Sequence, residues 1–254
     1  MKILKSLNLI INWRTVIVTS LSLAATWLCL HYQFTANFPL TLIGIAIVFP
    51  IVFSINSAYR RRENALQYLS EFKIHGLAIY YAGRDWIAPG PLSGKIKQNL
   101  QQIFNCMHDL LHEQKPMEDA EAMVFQSFSD LSILLQEFRG KEIAGGEISR
   151  ISQYLSKMML AFDKMKIILH YRTPITLRAY NKIFIYTFPI IYAPYFAYTF
   201  DTYSGLLGYI MPIMFSFIMV SLDNIQDHLE NPYDLVGEDD VKLEIEEYSR
   251  YLDH

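Results

Sequence analysis

Residues 43–63 read IGIAIVFPIVFSINSAYRRRE. An uncharged, strongly apolar run ends abruptly at the block Arg60-Arg61-Arg62. The run extends backwards without a single Asp, Glu, Lys or Arg to Thr15, which makes an uncharged stretch of 45 residues. Two more such stretches follow, 183–200 and 202–222, of 18 and 21 residues. A helix rises about 1.5 Å per residue, so crossing a ~30 Å hydrocarbon core takes about 20 residues. The first stretch therefore holds two spans and the others one each. The polar and aromatic turn YQFTANFP at 32–39 divides the first stretch. The expected spans are 15–29, 40–56, 183–200 and 205–222. The alternative, a helical hairpin buried in a soluble core, would have to hide four such segments within 254 residues.

Basic residues orient these spans. Lys2, Lys5 and Arg14 precede the first, Arg60, Arg61 and Arg62 follow the second, and Arg178 and Lys182 precede the third. Neither hairpin tip, around 32–39 and 201–204, carries Lys or Arg. Both termini and the segment between the hairpins are expected in the cytoplasm, with the protein in the plasma or inner membrane. The first span runs into a second and lacks a small-residue cleavage site, so it does not read as a cleaved signal peptide. Cys29 falls in a span and Cys106 outside the membrane, so no disulfide is expected.

Residues 57–180 read as helical throughout, with Ala, Leu, Glu, Gln and Lys common and no strand-like alternation. The second span is expected to continue to about Asp85, where Pro89-Gly90-Pro91 turns the chain. Further helices are expected at about 92–112, 118–138 and 147–171, separated by Lys115-Pro116 and Gly145-Gly146. Ile151, Leu155, Met158, Met159, Phe162, Met165 and Ile168 recur at helical spacing and are expected to form packing core. The fold class is thus all-α: a multi-pass membrane protein with four transmembrane helices in two hairpins and a helical cytoplasmic domain. The expected divisions are 1–57, 58–180, 181–222 and an acidic tail at 223–254. That tail has 11 acidic residues against Lys242 and Arg250, and a short amphipathic helix is expected through Val241, Ile245, Tyr248 and Leu252. Its acidic cluster reads either as solvated surface or as a cation or partner site.

Catalytic signatures are missing. Gly90–Lys95 has three residues between its glycines, not four, and Ile96 stands where a phosphate loop needs Ser or Thr. His108 and His112 lie four apart with no third ligand in the sequence nearby, so they read as surface histidines. The expectation is no enzyme, no cofactor, no bound metal and no nucleic-acid partner.

The second span carries Thr41, Ile45, Phe49, Phe53, Ser57 and Arg61, each four residues after the last. Successive members turn by only about 40° and climb about 6 Å, so they form one slowly winding stripe. By itself the stripe suits lipid contact or packing. Residues 43–63, however, resemble the second-helix signature of the bestrophins, particularly the bacterial branch, where an apolar helix runs into Asn-Ser-x-Tyr-x-Arg-x-x-Glu. Asn56, Ser57, Tyr59 and Arg61 fall into that pattern, with Glu63 one place early. Thr173-Pro174-Ile175 with Ala179-Tyr180 resembles the segment before the family's third span. Asp227–Tyr233 followed by Glu238-Asp239-Asp240 resembles the Asn-Pro-Phe and acidic cluster after the fourth.

The resemblance implies a homopentameric ion channel in membrane lipid, passing small ions through a central pore lined by span two. It places the narrow neck at Ile45, Phe49 and Phe53, and a second constriction at Ile175. Chloride or another small anion is the expected permeant. A monovalent cation channel of the same fold, or a non-conducting scaffold that binds a cytoplasmic partner, are the alternatives. Pro50 interrupts the neck helix and is expected to kink it. In the calcium-gated animal members the acidic cluster forms a calcium clasp. Here His228 replaces an oxygen ligand and Leu235-Val236 lengthens the loop. Asp234, Glu238, Asp239 and Asp240 are therefore expected to form at most a weak cation site.

Overall fold

A computed structural model of the chain describes residues 11–38, 40–86, 91–114, 116–141, 143–202, 205–236 and 240–253, with backbone only at 40–43, 201 and 205. The described residues contain nine α-helices, one 3-10 turn and no strand. The helices are α1 (Trp13–His31), α2 (Leu40–Asp85), α3 (Pro91–Leu111), α4 (Met117–Gln136), α5 (Gly145–His170), α6 (Ile175–Ile191), α7 (Ala193–Thr202), α8 (Gly205–Glu230) and α9 (Ile245–Tyr251). Among the described residues, Trp13–His31, Ile175–Phe200 and Leu206–Glu230 are each long and apolar enough to cross a membrane. The protein is a membrane protein, and the uncharged stretch 40–56 forms the start of α2.

The chain divides into two compact units. The first comprises residues 1–60, 172–231 and 236–239, and the second 61–171, 232–235 and 240–254. Helix α2 begins in the first unit and continues into the second at Arg61.

In the first unit α1 packs on α6, α7 and α8, and α7 pairs with α8. Asn12 starts α1 with a reciprocal cap: its Oδ1 accepts from the Arg14 and Thr15 backbone N–H groups, while its own N–H donates to Thr15 Oγ1. The core joins Val18 of α1, Ile47 and Ile51 of α2, Ile185 and Phe188 of α6, and Met219 and Val220 of α8. Sequence reading expects 183–200 to be one helix, but the helix breaks at Tyr192. Pro194 has no N–H to offer the Ile190 carbonyl, and its ring crowds that carbonyl. The Tyr192 N–H still donates to the Phe188 carbonyl at 3.0 Å, and α7 starts afresh with the Phe196 N–H on the Tyr192 carbonyl at 3.1 Å. Helices α7 and α8 approach so closely that a Cβ at Gly208 would stand 2.3 Å from Phe200 Cβ and 2.9 Å from its Cα. Only glycine allows that contact.

In the second unit α3 and α4 form an antiparallel pair, α5 packs on both, and α9 lies on α3. Phe72, Phe104, Phe128 and Phe162 meet in its centre. The periodic stripe on α5 is buried as its spacing requires, except Met159, which is 37% exposed at the margin. The pair Gly145-Gly146, expected as a break, forms the first turn of α5. Gly adds no side chain to cap or clash there, so the helix starts on it. Cys29 and Cys106 are both free thiols.

The acidic tail is less exposed than its composition suggests. Helix α8 runs past Leu222 to Glu230. Tyr233, Val241, Leu243, Tyr248 and Leu252 are buried in the core of the second unit. Five apolar side chains removed from water outweigh the charge around them. Helix α9 begins only at Ile245, so Val241 packs from the extended segment before it.

Candidate functional site

The stripe on α2 separates cleanly from the face behind it. Ile45, Phe49 and Phe53 are 55%, 60% and 59% exposed in the chain. Val48 and Val52 flank them and are also exposed. Ile47, Ile51, Ser54 and Ala58 lie on the opposite face, none more than 2% exposed. One helix thus presents a packed side and a bare apolar side over the same turns. Helix α2 runs through Pro50 without interruption. The Phe49 and Phe53 rings meet edge to face, with centroids 5.1 Å apart at 68°. The side chain of Thr41, the first member of the stripe, lies outside the described residues. Below the apolar section, Asn56, Ser57 and Tyr59 are exposed.

Arg61 departs from the stripe. Its guanidinium donates to the backbone carbonyls of Ile168 and Tyr171, at the C-terminal end of α5. A cation there complements the negative end of the helix dipole and satisfies terminal carbonyls. Arg62 pairs with the adjacent Glu63 at 2.6 Å.

A buried polar link fixes the rotation of α2. Asn181 of α6, 1% exposed, donates through Nδ2 to Ser54 Oγ at 2.8 Å and to Gln226 Oε1 of α8 at 3.4 Å. Ser54 directly follows Phe53, so the hydrogen bond holds one side of the turn inward while the ring points outward.

Three carboxylates on α8 take partners from α1 and α6. Tyr186 donates to Asp223 Oδ2 at 2.9 Å. Arg14 and Lys182 both reach Asp227 Oδ2 at 3.3 Å. Glu230, 4% exposed, accepts from Arg178 and from the Thr173 backbone N–H. Sequence reading placed Asp223, Asp227 and Glu230 in an acidic tail. The signal that reveals them is the matched spacing: acids at 223, 227 and 230 against Arg178, Lys182 and Tyr186 four apart. Each buried or half-buried acid needs such a partner, because an unpaired charge there is costly.

Ile175, the other constriction residue, is the first residue of α6 and is 83% exposed. Asp234 is exposed and Asp240 half-buried, whereas Glu238 and Asp239 lie outside the described residues. No group of three or more His, Cys, Asp or Glu side chains that could hold a metal ion occurs among the described residues. His108 of α3 and His112, one residue past its end, do lie together, their rings 4.6 Å apart. His112 is no simple surface residue: its Nδ1 lies 2.6 Å from the Tyr233 carbonyl. Burial pushes its pKa below the ordinary histidine value, against that hydrogen bond.

No protein-family model and no curated protein sequence matches the chain. Solved structures do. A single-substitution variant of a bacterial Bestrophin homolog from Klebsiella pneumoniae superposes with a TM-score of 0.81 at 15% identity, over 95% of this chain and 98% of that one. The structure of that homolog solved by Zn-SAD phasing gives 0.78 at 14% identity, over 94% and 96% of the two chains. A second variant gives 0.80 at 15% identity, over 94% and 96%. The chain has the bestrophin fold.

Proposed function

We propose that the chain is one subunit of a bestrophin-like pentameric ion channel in the plasma or inner membrane. The observation that carries this reading is the bare apolar stripe of Ile45, Phe49 and Phe53 on α2, backed by a fully packed face, in a chain of bestrophin fold. A single helix encloses no pore, so the stripe needs a closed ring of copies. Five copies would stack three apolar rings over about 12 Å, at 1.5 Å rise per residue. Such a constriction closes by dewetting and needs no plug. Phenylalanine edges carry partial positive charge, so rings turned edge-on accommodate a passing anion. Small anions, chloride among them, are therefore the proposed permeant. Ile175, bare at the start of α6, is the proposed second constriction. Four helices cross the membrane in this reading. Both termini and the second unit lie in the cytoplasm, with basic residues at that boundary. The acidic residues near 234–240 bind divalent cations weakly at most, and conduction does not require calcium.

Purified protein in planar bilayers tests the reading. Current with a reversal potential at the anion equilibrium potential in a salt gradient supports it. A reversal at the cation potential assigns a cation channel of the same fold. Silence from a fivefold ring that is otherwise intact assigns a scaffold. A monomer or dimer in mild detergent, measured by mass photometry, removes the pore altogether.

A further inference from the structure

Helices α1 and α6 line an open cavity of about 430 Å³ near the first turn of α1, with Trp13, Arg14, Ile17, Val18, Lys182 and Tyr186 on its walls. Its chemistry changes in order along α1. Trp13 and Arg14 stand at the helix start, and Ile17 and Val18 follow one turn further in. Across the cavity, the α6 wall also begins with a cation, Lys182, one turn before Tyr186. The mouth is therefore cationic and aromatic, and the deeper wall is aliphatic on α1 and carries Tyr186 on α6.

At the mouth the cations stand outside the more deeply buried of the two acids that face them. Arg14 and Lys182 share a single carboxylate oxygen, Asp227 Oδ2, each at 3.3 Å. Charge-assisted N–H···O contacts close to about 2.7–2.9 Å when a pair is fully engaged. The Arg14 and Lys182 side chains are 41% and 32% exposed, so N–H donors of both stay open to the cavity. The second acid, Asp223, attracts both cations, but it is 1% exposed and accepts from Tyr186, so it lies behind them. Trp13 is 69% exposed at the start of α1, and indole rings favour the membrane–water boundary.

We propose that this cavity binds the headgroup of an anionic glycerophospholipid from the leaflet at the N-terminal end of α1. The phosphate meets Arg14 and Lys182, the glycerol region lies against Trp13 and Tyr186, and an acyl chain follows Ile17 and Val18. Charge complementarity selects an anionic lipid over a zwitterionic one. The aliphatic wall and the bare indole select a lipid over a free phosphate, which would leave both in water. A lipid held there bridges α1 and α6. The inference requires that these two helices span the membrane, and it is independent of conduction.

The test uses the full chain with Trp27→Phe and Trp86→Phe, which leaves Trp13 as the sole tryptophan of the three. The protein is placed in nanodiscs of phosphatidylcholine with increasing brominated phosphatidylglycerol, and Trp13 fluorescence is followed. Quenching is expected to saturate at a lower lipid fraction than with brominated phosphatidylcholine. Arg14→Gln with Lys182→Gln weakens the preference about thirtyfold, as expected for losing two cations near a lipid surface. Arg14→Lys with Lys182→Arg retains it. If the double glutamine variant does not fold, Lys182→Gln alone keeps the Arg14–Asp227 pair and reads the same loss in part. Equal quenching by both lipids overturns the proposal, as does an unchanged preference in the neutralised variants. Reversal of the phosphatidylglycerol quenching by soluble glycerol phosphate also overturns it, and assigns the cations to a free phosphate.

Discussion

The Phe49 and Phe53 rings touch edge to face, 5.1 Å between centroids, on a side of α2 left bare by the described residues. Between them in sequence, Ile51 is fully buried on the other side. The same two turns therefore contain both a packing surface and a bare one, and substitutions on the two sides should differ in kind.

Alanine at Ile45, Phe49 and Phe53 together is expected to raise single-channel conductance and leave the melting temperature of the purified protein nearly unchanged. Alanine at Ile51 is expected to cost about 2–5 kcal/mol of stability, the usual range for a buried Ile truncated to Ala. Conductance of surviving Ile51→Ala channels should not change. If the triple variant fails to assemble while the Ile51 variant alters current, the stripe is a packing surface and the pore lies elsewhere.

Asn181→Ala should loosen the orientation of α2. It leaves buried Ser54 and Gln226 without their shared partner, and a buried group stripped of its hydrogen bond costs about 1–3 kcal/mol. A lower melting temperature with more variable open-channel current is expected. Ser54→Ala removes one partner only and should show a smaller loss. Wild-type stability in Asn181→Ala would mean that the hydrogen bonds at 2.8 and 3.4 Å contribute nothing.

Gly76 and Tyr248 should behave as a coupled pair. A Cβ at position 76 would stand 2.2 Å from the Tyr248 hydroxyl oxygen but 3.5 Å from its ring carbon Cζ. Tyr248 is fully buried and stacks on Phe104 at 4.6 Å, so its hydroxyl cannot swing aside. Gly76→Ala alone is expected to destabilise by about 1–3 kcal/mol, the range for overpacking. Tyr248→Phe should rescue it, because the clashing atom is gone. A double-mutant cycle by denaturant or thermal melting measures the coupling, and simple additivity would contradict the contact.

Stability should fall in mild acid through His112. Its folded pKa lies below the ordinary histidine value, chiefly because of burial, with His108 adding to the shift. A base with a depressed folded pKa binds fewer protons when folded. Its contribution is fully present above about pH 6.5 and is lost as pH falls from there through the folded pKa. His75, also depressed by burial and by Lys157, adds in the same direction. His112→Gln keeps a donor for the Tyr233 carbonyl and removes the charge, so its melting temperature should vary less between pH 7.5 and 5. An unchanged pH dependence would place the titration in other groups.

Composition and periodicity alone reach far into this protein. A 45-residue stretch without charge can be stable only as apolar helix in a membrane or a core, so the all-α membrane architecture follows from the sequence. Glycine and proline punctuate the helices between the hairpins within a residue or two, because their backbone restrictions act locally. The spacing of Ile45, Phe49 and Phe53 was likewise legible, since helical geometry alone puts them on one face.

What the sequence could not decide was which face of each helix meets which neighbour. Asp223, Asp227 and Glu230 read as tail charge, and only the packing of α8 against α1 and α6 turns them into partners of Tyr186, Arg14, Lys182 and Arg178. Arg61 belongs to the stripe by spacing, yet its long side chain reaches back to the end of α5. Tyr248 and Val241 sit among acids, yet both are buried. Local sequence sets period and propensity. Pairing of charges and burial of a tail depend on contacts between residues far apart in the chain, and those exist only once the helices have packed.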